Sequence, residues 1–190
     1  LQGVTEPLPV SSSGHLVIAQ AFLNMPNVDY LLEVWLNFAS LLAVVFLLRK
    51  KLIALIKGNI DYLFRRRREA RPHFDYALAI LIGIIPAGVA GLLLNDFLSE
   101  FFLNLLSVGI ALFVTGSLLL FVQSQSEENV GTDISFKDAL VIGLFQVLAL
   151  IPGISRSGTT VVGGLLRKIE ATKVIEFSFM LYIPISIASM

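Results

Sequence analysis

The chain has 190 residues, of which 56% are hydrophobic and only 15% charged, with a mean hydropathy of +0.83. A soluble domain carries about 25% charged residues, so soluble enzyme folds, nucleic-acid readers and disordered regulators are excluded and an all-α, polytopic membrane protein remains. The formal charge is zero, yet nine of the 14 cations fall within residues 49–71, and the absence of cysteine removes disulfides, thiolate metal sites and a cysteine nucleophile.

Residues 1–25 are apolar but interrupted by Pro7, Pro9, Ser11, Ser12, Ser13, Gly14 and His15, which predicts a broken helix rather than a span. Non-helical backbone at membrane depth survives only where it is buried in protein or lines a wet cavity, because lipid offers its amides no partner. Residues 31–48, with Glu33 as the single charge, fit a crossing of a hydrocarbon core about 30 Å thick. Tyr30 and Trp35 read as interfacial anchors there, and Glu33 with Asn37, one turn apart, as residues facing the bundle interior. Residues 49–76 set nine cations, including the run Arg65, Arg66, Arg67 and Arg68, against Asp61, Glu69 and Asp75. That excess predicts a cytoplasmic loop touching anionic headgroups rather than nucleic acid, and His73 within it is assigned no chemistry. Residues 77–94 and 101–122 are uncharged spans joined by an outer loop at 95–100; residues 123–138 return inside.

Residues 139–166 form a second broken segment, interrupted by Pro152, Gly153, Ser155, Arg156, Ser157 and Gly158, and 174–190 reads as a span cut short by the end of a fragment. An offset of 144 residues places Gln2 on Gln146, Ser11 on Ser155, Ser13 on Ser157 and Gly14 on Gly158. Each copy is a break followed by a span, and the expected topology flanks the first from outside and the second from inside. This is the pattern of an inverted-topology repeat, about 1–94 and about 101–190, within one integral membrane domain.

Serines and glycines between half-helices expose consecutive backbone N–H groups, and a half-helix N-terminus adds positive potential, so both breaks suit phosphate oxygens; close helix packing is the competing reading of Ser11, Ser13, Ser157 and Gly158. Arg156 is the only charged residue in 139–166. Its insertion costs at least about 2.5–3.5 kcal/mol, so it must face a cavity, a counter-charge such as Glu6, or an anionic ligand. Glu6 reads as general base, divalent-metal ligand or counter-ion, and His15 as nucleophile, acid–base or hydrogen-bonded core residue. The set fits cleavage of a phosphoanhydride in a partly lipidic substrate, with arginine and amides receiving the developing charge.

At these motifs the sequence resembles the undecaprenyl pyrophosphate phosphatase family, the bacitracin-resistance proteins. The family's Glu/Gln-x-x-x-Glu pattern is matched by Gln2 and Glu6, its SSSGH-type motif by residues 11–15, and its PGxSRSxxT motif by residues 152–160. The resemblance implies hydrolysis of undecaprenyl pyrophosphate to the monophosphate, recycling the carrier lipid for cell-wall polymers. It also implies two reentrant hairpins, a bacterial plasma membrane location with the site open to the outer face, and a homodimer as one assembly. A divalent cation, Mg2+ or Ca2+, comes with it, held by Glu6 and also Gln2. Glu6, Ser12, His15 and Arg156 would be catalytic. Gln2, Ser11, Ser13, Gly14, Gly153, Ser155, Ser157, Gly158 and Thr160 would bind substrate. In residues 35–40 WLNFAS stands where the family is expected to carry Gln and Gly. The main rival is a transporter or flippase of an anionic polyprenyl phosphate lipid, which has less use for Glu6 beside the anion. A histidine-nucleophile lipid phosphatase would want a second histidine where Thr159 and Thr160 stand.

Overall fold

A computed structural model describes residues 5–6, 8–24, 30–102, 105–123, 131 and 133–188. The helices are α1 (Ser12–Phe22), α2 (Tyr30–Leu63), α3 (Arg71–Phe102), α4 (Leu105–Gln123), α5 (Phe136–Val147), α6 (Arg156–Leu166) and α7 (Ala171–Ala188), with 3-10 turns at Arg68–Ala70 and Leu148–Leu150. Among the described residues the only β pairing is an isolated bridge between Gly131 and Ile169. Among the described residues three stretches are long and apolar enough to cross a membrane: Arg68–Leu94, Leu105–Val122 and Ala171–Ala188. Their outward side chains, such as Leu92, Leu106 and Phe113, are exposed. Such surface would drive aggregation in water and is at ease against acyl chains.

Two expected loops are helical. The apolar run of α2 stops at Leu48, but the helix continues to Leu63, and α3 resumes at Arg71, so residues 49–76 form the tip of a helical hairpin. Arg, Lys, Leu and Ile are all good helix formers, so charge ends the apolar run without ending the helix. Residues 95–100 likewise lie inside α3, which runs on to Phe102, since no Gly or Pro follows Gly91 to stop it. By contrast α1, α5 and α6 have 11, 12 and 11 residues, too few to cross alone.

The core is built on close backbone approach. A Cβ on Gly143 of α5 would lie 2.3 Å from the Gly83 carbonyl oxygen of α3, so the two helices cross with their backbones in contact. In lipid, where burying apolar surface gains little, contact of this kind is what holds helices together. Around it Ala79, Ala139, Ile142, Val174, Phe177 and Leu181 join α3, α5 and α7. A second cluster, Leu41 and Val44 of α2 with Tyr182 of α7, closes the other side.

The N-terminal end of α5 is tied by charge. Ser135 and Asp138 form a reciprocal cap at its N-terminus, and Arg167 at the end of α6 donates from Nε to Asp138 Oδ1 at 2.7 Å. Burial pushes the Asp138 pKa up, but the bonds from Ser135 and Arg167 outweigh it and hold the carboxyl below its ordinary 3.8. The bridge residue Gly131 pairs with Lys168 and Glu170, anchoring the same corner.

Gly143→Ala should cost about 1–3 kcal/mol through overpacking. Thermal unfolding in detergent reads this as a lowered midpoint, and an unchanged midpoint would mean the crossing has room for a methyl group. A carboxyl with a depressed folded pKa contributes stability that is present above its ordinary pKa and lost as pH falls through the folded one. The stability gap between wild type and Asp138→Asn should therefore be steady at neutral pH and close below about pH 4. A gap that stays open through the acid range would remove Asp138 ionisation from the account.

Candidate functional site

Each break is organised by a serine cap, and the two match atom for atom at the offset of 144. Ser11 Oγ accepts from Gly14 N at 3.2 Å and Ser155 Oγ from Gly158 N at 3.1 Å. Ser13 Oγ lies 3.4 Å from Ser11 Oγ, and Ser157 Oγ 3.3 Å from Ser155 Oγ. His15 N donates to Ser11 O and Thr159 N to Ser155 O. Both helices have 11 residues and are followed by a left-handed residue, Asn24 and Lys168. The copies differ at the cap itself: Ser11 has φ +62, a costly conformation for a residue with a Cβ, whereas Ser155 has φ −73.

The caps consume the amides of Gly14, His15, Gly158 and Thr159. Those of Ser12, Ser13, Arg156 and Ser157 are first-turn donors with no acceptor inside their own helices. They supply N–H groups and positive potential to any anion placed there.

The breaks meet through three consecutive residues of α6. Arg156 Nη2 donates to Glu6 Oε1 at 3.3 Å, Ser157 Oγ donates to Leu8 O at 3.2 Å, and a Cβ on Gly158 would lie 3.2 Å from Pro9 O. Ser12 Oγ donates to the other Glu6 oxygen, so the carboxylate is held from both sides. The Glu6 side chain is 11% exposed and that of Arg156 29%, leaving the guanidinium within reach of a ligand. Among the described residues Glu6 is its only hydrogen-bond acceptor. His15 Nδ1 lies 2.9 Å from Ser11 O. A carbonyl only accepts, so Nδ1 carries the proton and the neutral ring keeps its lone pair on Nε2.

The other expected site residues are placed as follows. Gly153 has φ +94 and its Cβ would lie 2.9 Å from Ala111 Cβ and 3.0 Å from Val108 O, so glycine is needed for the turn to lie on α4. Ser155 is buried, and its amide donates to Thr115 Oγ1 of α4 at 3.2 Å. Thr160 is fully buried, its hydroxyl engaged with Arg156 O at 2.9 Å and Ser178 Oγ of α7 at 2.6 Å, on the packed side of α6. Gln2 lies outside the described residues. Trp35 is exposed, as an interfacial anchor would be.

No sequence motif singles out Tyr182, Thr115 or Ser178, and helical spacing alone places Asn37 on the face toward the bundle interior. The Tyr182 ring lies under the Arg156 guanidinium, 4.5 Å from Cζ to the centroid, and its hydroxyl donates to Asn37 Oδ1 at 2.9 Å. Arg156 thus has a carboxylate at its edge and an aromatic face beneath it, which fixes its plane. A sequence signal for this existed: Ser178, Tyr182 and Ser186 recur every four residues, a buried polar stripe along an otherwise apolar helix.

Among the described residues no three of His, Asp and Glu gather as a metal cage. Among them Glu6 is the one carboxylate at the site.

Thr115→Val should leave the Ser155 amide unsatisfied in the core and cost about 1–3 kcal/mol, with Thr115→Ser restoring most of it. Melting of both variants in the same detergent checks this, and equal midpoints for Val and wild type would show that the amide has another acceptor.

A family model described as "Bacitracin resistance protein BacA" matches residues 1–190. The chain is 41% identical over 189 residues to "Undecaprenyl-diphosphatase 2" of Bacillus thuringiensis (strain Al Hakam), covering 100% of this chain and 70% of that protein. It is 43% identical over 195 residues to "Undecaprenyl-diphosphatase" of Acholeplasma laidlawii (strain PG-8A), covering 98% and 69%. A third relative, "Undecaprenyl-diphosphatase 1" of Halalkalibacterium halodurans, is 41% identical over 188 residues, covering 99% and 69%.

Proposed function

We propose that this chain, which belongs to the bacitracin resistance protein BacA family, hydrolyses the phosphoanhydride of undecaprenyl diphosphate, releasing inorganic phosphate and leaving the lipid monophosphate. The observation that carries the reading is the meeting of two helix N-termini around Arg156, Glu6 and the serine caps, a cluster of donors within an apolar helical protein.

In this reading Arg156 and the first-turn amides of α1 and α6 bind the oxygens of the terminal phosphate and receive the charge that builds on it. His15 acts through Nε2, either taking the proton of a water that attacks the terminal phosphorus, or attacking that phosphorus itself to give a phosphohistidine that water then hydrolyses to free inorganic phosphate. In both cases the anhydride P–O bond breaks toward the lipid monophosphate, whose charge stays on the donors. Glu6, oriented by Ser12, positions Arg156. A divalent cation, Mg2+ or Ca2+, fits as a companion of the diphosphate: one carboxylate from Glu6 plus substrate oxygens is a common way to hold such an ion. When bound it would neutralise diphosphate charge.

The same reading makes the α1 and α5–α6 segments reentrant hairpins related by an inverted repeat. Their matched caps, equal lengths and matched left-handed ends support it. The arginine-rich tip between α2 and α3 belongs in the cytoplasm by the positive-inside rule, and the site opens toward the outer face of the plasma membrane.

Phosphate release from undecaprenyl diphosphate by the purified protein in detergent tests the function. His15→Ala should lower kcat by about 10²–10⁴. Arg156→Lys keeps the charge but loses the planar fork and should lower it by about 10²–10³. A chelator should stop release. Saturable lipid binding with no phosphate release would move the assignment to a carrier.

A further inference from the structure

Helix α2 has 34 residues and is therefore about 51 Å long, against a hydrocarbon core of about 30 Å. Its apolar run ends at Leu48, and the Arg49 guanidinium that follows folds back over the Phe46 ring, 4.1 Å from the centroid, and donates to Phe46 O at 2.9 Å. Beyond Arg49 the helix should turn polar on every exposed side. Instead Ile53, Ile56, Ile60, Leu63 and Phe64 fall within an arc of about 100° at helical spacing, each 44–81% exposed.

The opposite side of this segment is already occupied. Gly58 packs on the His73 ring, Tyr62 stacks on Phe74 at 4.9 Å, and Asn59 donates to His73 O, all on α3. The apolar stripe thus points away from α3, begins about 6 Å beyond Arg49 and runs for about 17 Å along the helix. Its border is cationic. Lys50 and Lys57 flank one edge, and Arg65, Arg66, Arg67 and Arg68 follow its end, while Asp61 is the one acid between Arg49 and Arg68 and is paired with Arg65 and Arg67.

We propose that residues 53–64 form an interfacial membrane-binding helix: the isoleucine, leucine and phenylalanine stripe enters the boundary between headgroups and acyl chains of an anionic leaflet, and the lysines and arginines engage its phosphates. Charge selects this occupant, because a stripe with an apolar centre and a basic edge matches anionic lipid and repels a second copy of the same basic tip. The hairpin of α2 and α3 then leans onto the bilayer surface instead of standing in water. Lysine stems bordering the stripe cover apolar surface while their ammonium groups reach headgroup depth. This rests on the membrane setting alone and not on the reaction assigned to the site.

The absence of cysteine makes the test direct. Single cysteines, Ile56→Cys and Ile60→Cys on the stripe and Glu69→Cys at the exposed tip, carry a fluorescent label in nanodiscs of phosphatidylcholine with or without phosphatidylglycerol. With phosphatidylglycerol present, labels at 56 and 60 should be quenched by brominated acyl chains and be several-fold less accessible to aqueous iodide than the label at 69. Removing phosphatidylglycerol, or adding Lys50→Gln and Lys57→Gln, should weaken that protection. Stripe labels as open to iodide as the tip would overturn the proposal, as would protection without quenching by brominated chains, which would mark a protein partner. Equal protection in neutral lipid would refute the anionic requirement.

Discussion

The ion pair between Arg156 and Glu6 is the interaction on which the rest depends. A guanidinium surrounded by an otherwise uncharged 28-residue stretch is tolerated at membrane depth only with compensation. The protein supplies it from a residue 150 positions away. To do so it must bring two helix starts together, seat Ser157 on the Leu8 carbonyl and leave no side chain at Gly158 where Pro9 passes. Among the described residues, the same arrangement leaves further N–H donors on Arg156 and on four first-turn amides without an acceptor. A site that must neutralise its own cation with one acid, while keeping spare donors, is prepared for an anion carrying more than one charge.

Bringing the breaks together requires that irregular backbone be satisfied without water. Ser11 and Ser155 cap their helices, Thr115 receives the Ser155 amide, and Gly153 takes a left-handed turn against α4. The α5–α6 pair is held at one end by Asp138 with Arg167 and along its length by Gly143 on Gly83. Two rigid attachments to α3 and α4 thereby fix where the N-terminus of α6 points. Tyr182 and Asn37 extend the support to α7 and α2, so every long helix except α3 touches the site directly or through one partner. Helix α3 acts through the glycine crossing.

Much of this was legible in residue types. Pro, Gly and Ser clusters announced both breaks, because proline and glycine end helices and serine caps them whatever the surroundings. The offset of 144 aligned serines and glycines in the sequence, and those residues hold corresponding hydrogen bonds in the structure. Helix ends were legible only where such a residue stood. At Leu48 and Leu94 the apolar run ended but nothing stopped the helix, so α2 and α3 run further than hydropathy implied.

Residue types alone establish the membrane class, the two interruptions and the candidate chemical set, since composition, capping and the cost of an isolated charge are local or additive properties. The folded arrangement was needed to see that Tyr182 lies beneath Arg156, that Asn37 serves Tyr182, that Thr160 turns toward Ser178 and that Gly143 meets Gly83. These depend on the rotation and register of helices that are apolar almost all round. Such helices carry no hydrophobic stripe to say which face turns inward, so the choice falls to close packing and a few polar contacts between segments far apart in the chain.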